Sequence, residues 1–498
     1  MNEYIYLSLG IYFLVMLGIG AFCYFRMEQG VAGFMLGGRK MGPAVTALSA
    51  GASDMSGWIL MGLPGLIYAT GLGGSWMAIG LTIGAYLNYR LLAPRLRWFT
   101  EKLDDAVTIP EYLERRFADN SHLLRIICSL VIILFFTIYT TSGFVAGGKL
   151  FESAFGMQYE IGLIVTAIVV VSYSTFGGFS AVSITDFVQG CIMLLALVVV
   201  PLVTLDNIGG WSGLTSTLTA SNPDVLNLSN ASLLTAISAA SWGLGYFGQP
   251  HIIVRFMAIN SIRDLGVARK IGISWMVVSI LGTISVGLTG AAYVAHSGIT
   301  LNDPETIFIA LSNTLFHPLV TGFLLAAILA AVMSTISSQL LVSSSSITED
   351  VYYTFLRKNA SQQERVLVAR ASVVGVALIA VAMAFDRSAS ILSLVGNAWA
   401  GFGAAFGPVI LISLYWSGMT RAGALAGMSS GALTVLLWLY LPVTVNGQTL
   451  SGLVYEIIPG VLVASLATVV VSRLTAGSKQ HEQVAARFSD IEQHIPAA

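Results

Sequence analysis

Apolar runs long enough to cross a lipid bilayer recur about thirteen times along this chain. They lie at 3–25, 42–65, 72–98, 122–152, 158–177, 184–206, 231–256, 267–295, 318–346, 365–385, 389–416, 421–441 and 453–474. No other feature constrains the fold as tightly, because backbone in lipid must satisfy its N–H and C=O groups internally, which a helix does on its own. The 498 residues are 56% hydrophobic and 10% charged, against about 25% charged in soluble domains. An all-α polytopic membrane protein is the expected class. The first run lacks an upstream basic region and is long enough to remain as a spanning helix instead of a cleaved signal. Cys23, Cys128 and Cys191 fall inside apolar runs, so neither a disulfide framework nor a thiolate metal site is indicated. The six histidines are scattered and form no ligand cluster, and a net charge of −1 leaves no general basic surface for nucleic acid.

Of the 24 Lys and Arg, all but Lys149 and Arg387 fall in the connections after the first, third, seventh, ninth and eleventh runs, in the run ends that flank those connections, or in and beside the tail. The positive-inside bias makes that side cytoplasmic, with the N-terminus outside and the C-terminus inside. Spans two to six (42–206) and seven to eleven (231–416) then run in opposite senses, which predicts two inverted five-helix repeats. One peripheral helix (1–25) precedes them and two (421–474) follow. The tail, 475–498, is polar and expected to fray or form weak helix. In the connection from Arg90 to Arg125, Thr108-Ile109-Pro110-Glu111 carries a capping-box pattern and an early Pro, predicting a short surface helix. The connection from Asp206 to Asn230 has no basic residue and reads as an outer loop with some local structure.

The chemistry concentrates at Ser49-Ala50-Gly51-Ala52-Ser53-Asp54-Met55-Ser56-Gly57-Trp58, where a carboxylate, Asp54, sits midway along a spanning run. An ionisable group at that depth is costly and functional by default. Gly51, Gly57, Gly62, Pro64 and Gly65 let the helix loosen and turn carbonyls elsewhere. The inverted block opens with a similar interrupted stretch, Ser241 to Pro250. Counted from the inner ends of their runs, Asp54 and Ser334 lie at equal depth, so Ser334 and Thr335 are placed to face the first interruption. Two hydroxyls with freed carbonyls at Ala52 and Met55 make an all-oxygen site suited to sodium; the competing reading is that Ser334 and Thr335 only bond their own helix. Asp54 either ligates the ion or braces the broken helix beside it. Trp58, Tyr139 and Trp242, at similar or slightly more outward depth, and Tyr246, one turn further in, are candidates to wall an apolar solute pocket. Asp186 at the inner mouth of the sixth span has two accounts: gating, or a carboxylate favoured at a helix start. Arg39 and Lys40 are expected to be positive-inside anchors.

The runs Gly37-Gly38-Arg39, Ser49 to Gly65, Phe135 to Gly143, Gly177 to Gln189, Trp242 to Arg255, Ala327 to Asp350, Trp399 to Val409 and Tyr455 to Gly460 resemble the sodium:solute symporter family over nearly the whole chain, most of all its proline-carrying branch. The resemblance implies a fold similar to the leucine transporter and import of L-proline driven by sodium, the coupling ion, across a bacterial plasma (inner) membrane. It places sodium at Ala52, Met55, Ala331, Ser334 and Thr335, and the solute at Trp58, Tyr139, Trp242, Tyr246 and Pro250. Asp54, Ser56 and Gly57 are implied to assist, with Asp186 as a further coupling candidate. Pantothenate or another amino acid is the alternative solute. A sodium-responsive sensor would need a signalling domain and only a short tail follows the last span; a channel lacks its acidic ring; and no constellation of an enzyme is visible.

Overall fold

The computed structural model describes residues 2–26, 31–386, 390–445 and 447–496. Arg387 and the residue opening the run at 389 lie outside the described residues. Helix accounts for nearly all of the ordered backbone, and the only strands among the described residues are the antiparallel pair Thr444–Val445 and Gln448–Thr449.

Ten helical stretches among the described residues are long and apolar enough to cross a membrane. Pro318–Leu356 and Ile391–Tyr415 run through the middle, with 83% of their most apolar windows buried; Glu3–Phe25, Gln362–Met383 and Ile457–Leu474 bury only 28% and form the periphery. Three of the apolar runs are not separate long helices. In the run 42–65, helix Pro43–Asp54 stops at Met55 (φ −79°, ψ 77°) and resumes as a π turn, Trp58–Gly62, and helix Leu63–Thr70, with Pro64 in its first turn where no amide is missed. The run 231–256 is helix Leu233–Ala240, a tighter 3₁₀ stretch Ser241–Gly248, and helix Pro250–Ala258. The run 158–177 is the short helix Tyr159–Thr175, which leads into a kink at Gly178 (φ 56°, ψ −157°), a conformation glycine alone reaches without strain.

These interruptions are held by close packing. Gly80 and Gly84, one turn apart on helix Trp76–Leu87, lie against the backbone of Ala240 and Gly243, where any Cβ would collide. The 3₁₀ stretch therefore sits directly on its neighbour's main chain.

On the basic face, helix Ile109–Arg116 begins as its sequence predicts: the Thr108 hydroxyl accepts the Glu111 N–H at 3.1 Å, and the Glu111 carboxylate accepts the Val107 N–H at 2.7 Å. On the other side, 210–221 forms a helix, Gly210–Ser221, and Lys149 is not isolated, pairing with Asp303 at 2.9 Å and Glu305 at 2.8 Å. The tail corrects the expectation of fraying. Residues Lys479–Gln493 form a helix whose Val484, Phe488 and Ile491, spaced i, i+4, i+7, are buried. Phe488 packs on Phe99 (ring centroids 5.1 Å apart) and under the Arg116 guanidinium (4.5 Å), and the Trp98 indole N–H donates to the Ile491 carbonyl at 2.9 Å.

Candidate functional site

Where the first helix breaks, its hydrogen-bond ladder loses register. The Met55 amide still reaches the Gly51 carbonyl (2.9 Å), but the Ser56 amide turns to the Asp54 carbonyl (2.9 Å) and the Ile59 amide to the Ser56 carbonyl (3.1 Å). In a continuous helix those two amides would serve Ala52 and Met55. The Ala52 carbonyl is met instead from the central serine-rich helix Pro318–Ser345: the Ser334 hydroxyl donates to it at 2.7 Å and lies 3.0 Å from the Ala331 carbonyl. The Thr335 hydroxyl donates to that same Ala331 carbonyl at 3.2 Å. Ala52, Ala331, Ser334 and Thr335 thus converge, while Met55, at the break, lines a small cavity with Asp54 and Tyr246; all are buried. The donors are neutral oxygens. Among the described residues no group of three His, Cys, Asp or Glu gathers to hold a metal. Such a set suits a hard monovalent ion and not a transition metal.

Asp54 is the last residue of the helix before the break, two residues beyond Ala52. Its Oδ2 accepts the Tyr246 hydroxyl, while its main-chain carbonyl accepts the Trp58 indole N–H (3.0 Å) and the Tyr139 hydroxyl (3.4 Å). Three of the four aromatics chosen by depth therefore meet at one residue. Its Oδ1 has no hydrogen-bond partner, and neither do the Asn88 Oδ1 or the Tyr89 hydroxyl; all three residues line a cavity of about 20 Å³, the size of one water. Trp242 lies one layer away, stacked on Tyr455 (5.0 Å) and Trp399 (6.4 Å), with its carbonyl accepting the Trp399 N–H at 2.7 Å. Trp399 in turn meets Tyr246 edge-on at 5.1 Å. Pro250 is elsewhere again, lining a small cavity toward the basic face with Thr108, Phe179 and Ser345. Ser56 is buried with an unpartnered hydroxyl, and Gly57 lets Ala146 and Val332 close on the break.

Asp186 is not a helix-start carboxylate. It lies two turns beyond the kink at Gly178, past the reach of the helix N-terminus, and is fully buried. Its Oδ2 accepts the Ser49 hydroxyl at 2.7 Å and the Arg255 guanidinium at 3.2 Å. Arg255 also donates to the Ser49 hydroxyl (3.1 Å), the His251 carbonyl (2.5 Å) and the Ser338 hydroxyl (2.5 Å). One ion pair thereby joins Pro43–Asp54, the kinked helix, Pro250–Ala258 and the serine-rich helix. Sequence reasoning passed over Arg255 because it sits at the basic end of its run, where anchoring explains any Arg. Its signal was a lone charge within Pro250–Ala258 and a lone opposite charge, Asp186, in another apolar run. Arg39, read as an anchor, donates to the main-chain carbonyls of Met257 (2.7 Å), in helix Pro250–Ala258, and Ala106 (2.8 Å), tying that helix to the connection before Thr108.

A sequence profile of the sodium:solute symporter family matches residues 34–431. The osmoregulated proline transporter OpuE of Bacillus subtilis (strain 168) is 55% identical over 476 residues, 95% of this chain and 96% of the relative. A sodium/proline symporter of Staphylococcus aureus (strain NCTC 8325) is 55% identical over 480 residues, 95% of this chain and 93% of the relative. Among solved structures, a sodium-coupled sialic acid symporter in a substrate-bound, outward-open state superposes with a TM-score of 0.80 at 19% identity, covering 96% of this chain and 99% of that one. Mhp1, a nucleobase-cation-symport-1 family transporter, superposes with a TM-score of 0.53 at 13% identity, covering 91% and 98%. These likenesses show that the chain shares the all-α membrane fold of those transporters.

Proposed function

The chain belongs to the sodium:solute symporter family, and from that premise we propose that it imports L-proline together with sodium, by alternating access, across the bacterial cell membrane in which it is a multi-pass protein. The observation that carries the ion assignment is the meeting of the Ser334 hydroxyl with the Ala52 carbonyl at the helix break, 2.7 Å apart. The carbonyls of Ala52, Met55 and Ala331 and the hydroxyls of Ser334 and Thr335 would hold sodium there, the Ser334 O–H turning away from the Ala52 carbonyl and keeping its proton while its oxygen faces the ion. A membrane potential near 100 mV supplies about 2.3 kcal/mol per entering charge, and a tenfold sodium gradient adds about 1.4. With one sodium per solute, that sum sustains accumulation of a few hundred-fold.

Proline binds around Asp54, against Trp58, Tyr139 and Tyr246, with Trp242 and Pro250 toward the two ends of its path. Asp54 couples the sites, because its carbonyl fixes Trp58 and Tyr139 while its helix carries Ala52; Ser56 and Gly57 set the geometry of the break. Sodium favours the solute-competent arrangement by clamping the first broken helix to the serine-rich helix, a differential affinity between states. Asp186 and Arg255 close the path toward the cytoplasm, and the inner side opens when that pair parts. Thirteen spans fit this reading: the ten long helices, plus the two broken helices and Tyr159–Thr175, which length criteria pass over as separate spans. They form inverted repeats 42–206 and 231–416, with the N-terminus outside and the C-terminus inside, on the distribution of Lys and Arg.

Uptake of labelled proline into proteoliposomes tests the assignment. We expect accumulation with an inward sodium gradient, none with potassium alone, and competition by unlabelled proline well ahead of pantothenate or other amino acids. Full uptake driven by a potassium or proton gradient would reject the ion, and a better competitor would reject the solute.

A further inference from the structure

Near the basic face, a groove of about 570 Å³ opens on the outside of the bundle, lined by Leu91, Leu411, Ile412, Tyr415, Trp416, Val469 and Arg473. Its walls come from the inner ends of three helical segments, around the π turn Asn88–Leu92, Ile391–Tyr415 and Ile457–Leu474. The Tyr415 hydroxyl donates to the Leu91 carbonyl at 2.9 Å, which fixes the floor. The Arg95 guanidinium lies over the Tyr415 ring at 4.0 Å, but its charge is taken by Glu492 of the tail helix at 2.8 Å. Arg473 is different: it is exposed, forms no ion pair among the described residues, and no carboxylate lines the groove. Arg90, beside Leu91 in sequence, is likewise exposed and without an ion pair.

An apolar slot that ends in the Arg473 guanidinium, with Tyr415 and Trp416 at the end of their helix, where aromatic rings favour a membrane interface, has the layout of a phospholipid: chain below, charge above. Anionic headgroups on the cytoplasmic leaflet are attracted to such groups by about 1 kcal/mol each. We infer that the groove is a binding site for an anionic phospholipid of the inner leaflet. The phosphate pairs with Arg473, with Arg90 beside it, and an acyl chain lies along Leu411, Ile412 and Val469. Only the leaflet rests on the orientation proposed above.

The test uses the full chain in nanodiscs of phosphatidylcholine with and without phosphatidylglycerol, counting retained lipids by native mass spectrometry. Wild type should keep phosphatidylglycerol several-fold over phosphatidylcholine. Arg473→Gln should lose that preference, Ile412→Trp should lose retained lipid of both kinds by filling the slot, and Arg357→Gln, on the same face but outside the groove, should behave as wild type. Inorganic phosphate at millimolar concentration should not displace the lipid. Equal retention of the two lipids by wild type, or an undiminished preference in Arg473→Gln, would overturn the inference; so would displacement by free phosphate. Lipid retention is read without transport, so failure here leaves the carrier assignment standing.

Discussion

Asp186 and Arg255 hold one another at 3.2 Å with almost no exposure, and removing either leaves an uncompensated charge in the interior. The cost of such a loss is about 3–5 kcal/mol, whereas neutralising both partners together is far milder. Arg255→Gln is therefore predicted to lower the thermal unfolding temperature in detergent sharply, and Arg255→Gln with Asp186→Asn to recover most of it. A double variant as unstable as the single one would show that the pair is not what stabilises these helices. At this scale the sequence was legible where cost alone singles a residue out. Asp54 is conspicuous because a carboxylate in mid-membrane needs a reason. Arg255 was not, since its depth depends on how Pro250–Ala258 packs. The division of the aromatics, with Tyr246 on Asp54 and Trp242 on Tyr455, likewise needs tertiary structure, because equal depth does not mean a shared face.

The broken helices were readable as elements, since Gly and Pro clustered in mid-membrane remove the reasons for a helix to continue. Which form the second break takes was not readable: eight residues of 3₁₀ helix, Ser241–Gly248, where the sequence suggested only an interruption. Backbone contact at Gly80 and Gly84 fixes that stretch, a contact between segments far apart in the chain. Gly84→Ala is accordingly predicted to destabilise by about 1–3 kcal/mol through overpacking, measured by thermal unfolding. Gly375→Ala, in an exposed helix with open space around it, should instead stabilise by about 0.5–1 kcal/mol. If both changes had the same sign, close approach would not be the function of Gly84. The tail was left between fraying and weak helix for a related reason. Its polarity concealed three apolar residues on one helical face, and what they cover, Phe99 and the Arg116 stem, is supplied by a distant connection.

For the whole molecule, inverted runs and charge bias pointed to a transporter before any coordinates, because topology in lipid follows from few rules. What topology does not reveal is how the proposed ion and solute sites communicate. The last turn before the break at Met55 joins them: the Ala52 carbonyl takes the Ser334 hydroxyl, and Asp54, two residues on, meets Trp58, Tyr139 and Tyr246. Solute and ion are therefore expected to depend on each other through a single short segment, and a change confined to the ion side should alter sodium dependence first. Initial rates of labelled proline uptake against sodium concentration, for wild type and Ser334→Ala, test this most directly. The account predicts a half-saturating sodium concentration raised about tenfold or more, equivalent to about 1.4 kcal/mol, with proline affinity near wild type once sodium saturates. An unchanged sodium curve accompanied by weakened proline binding would contradict it.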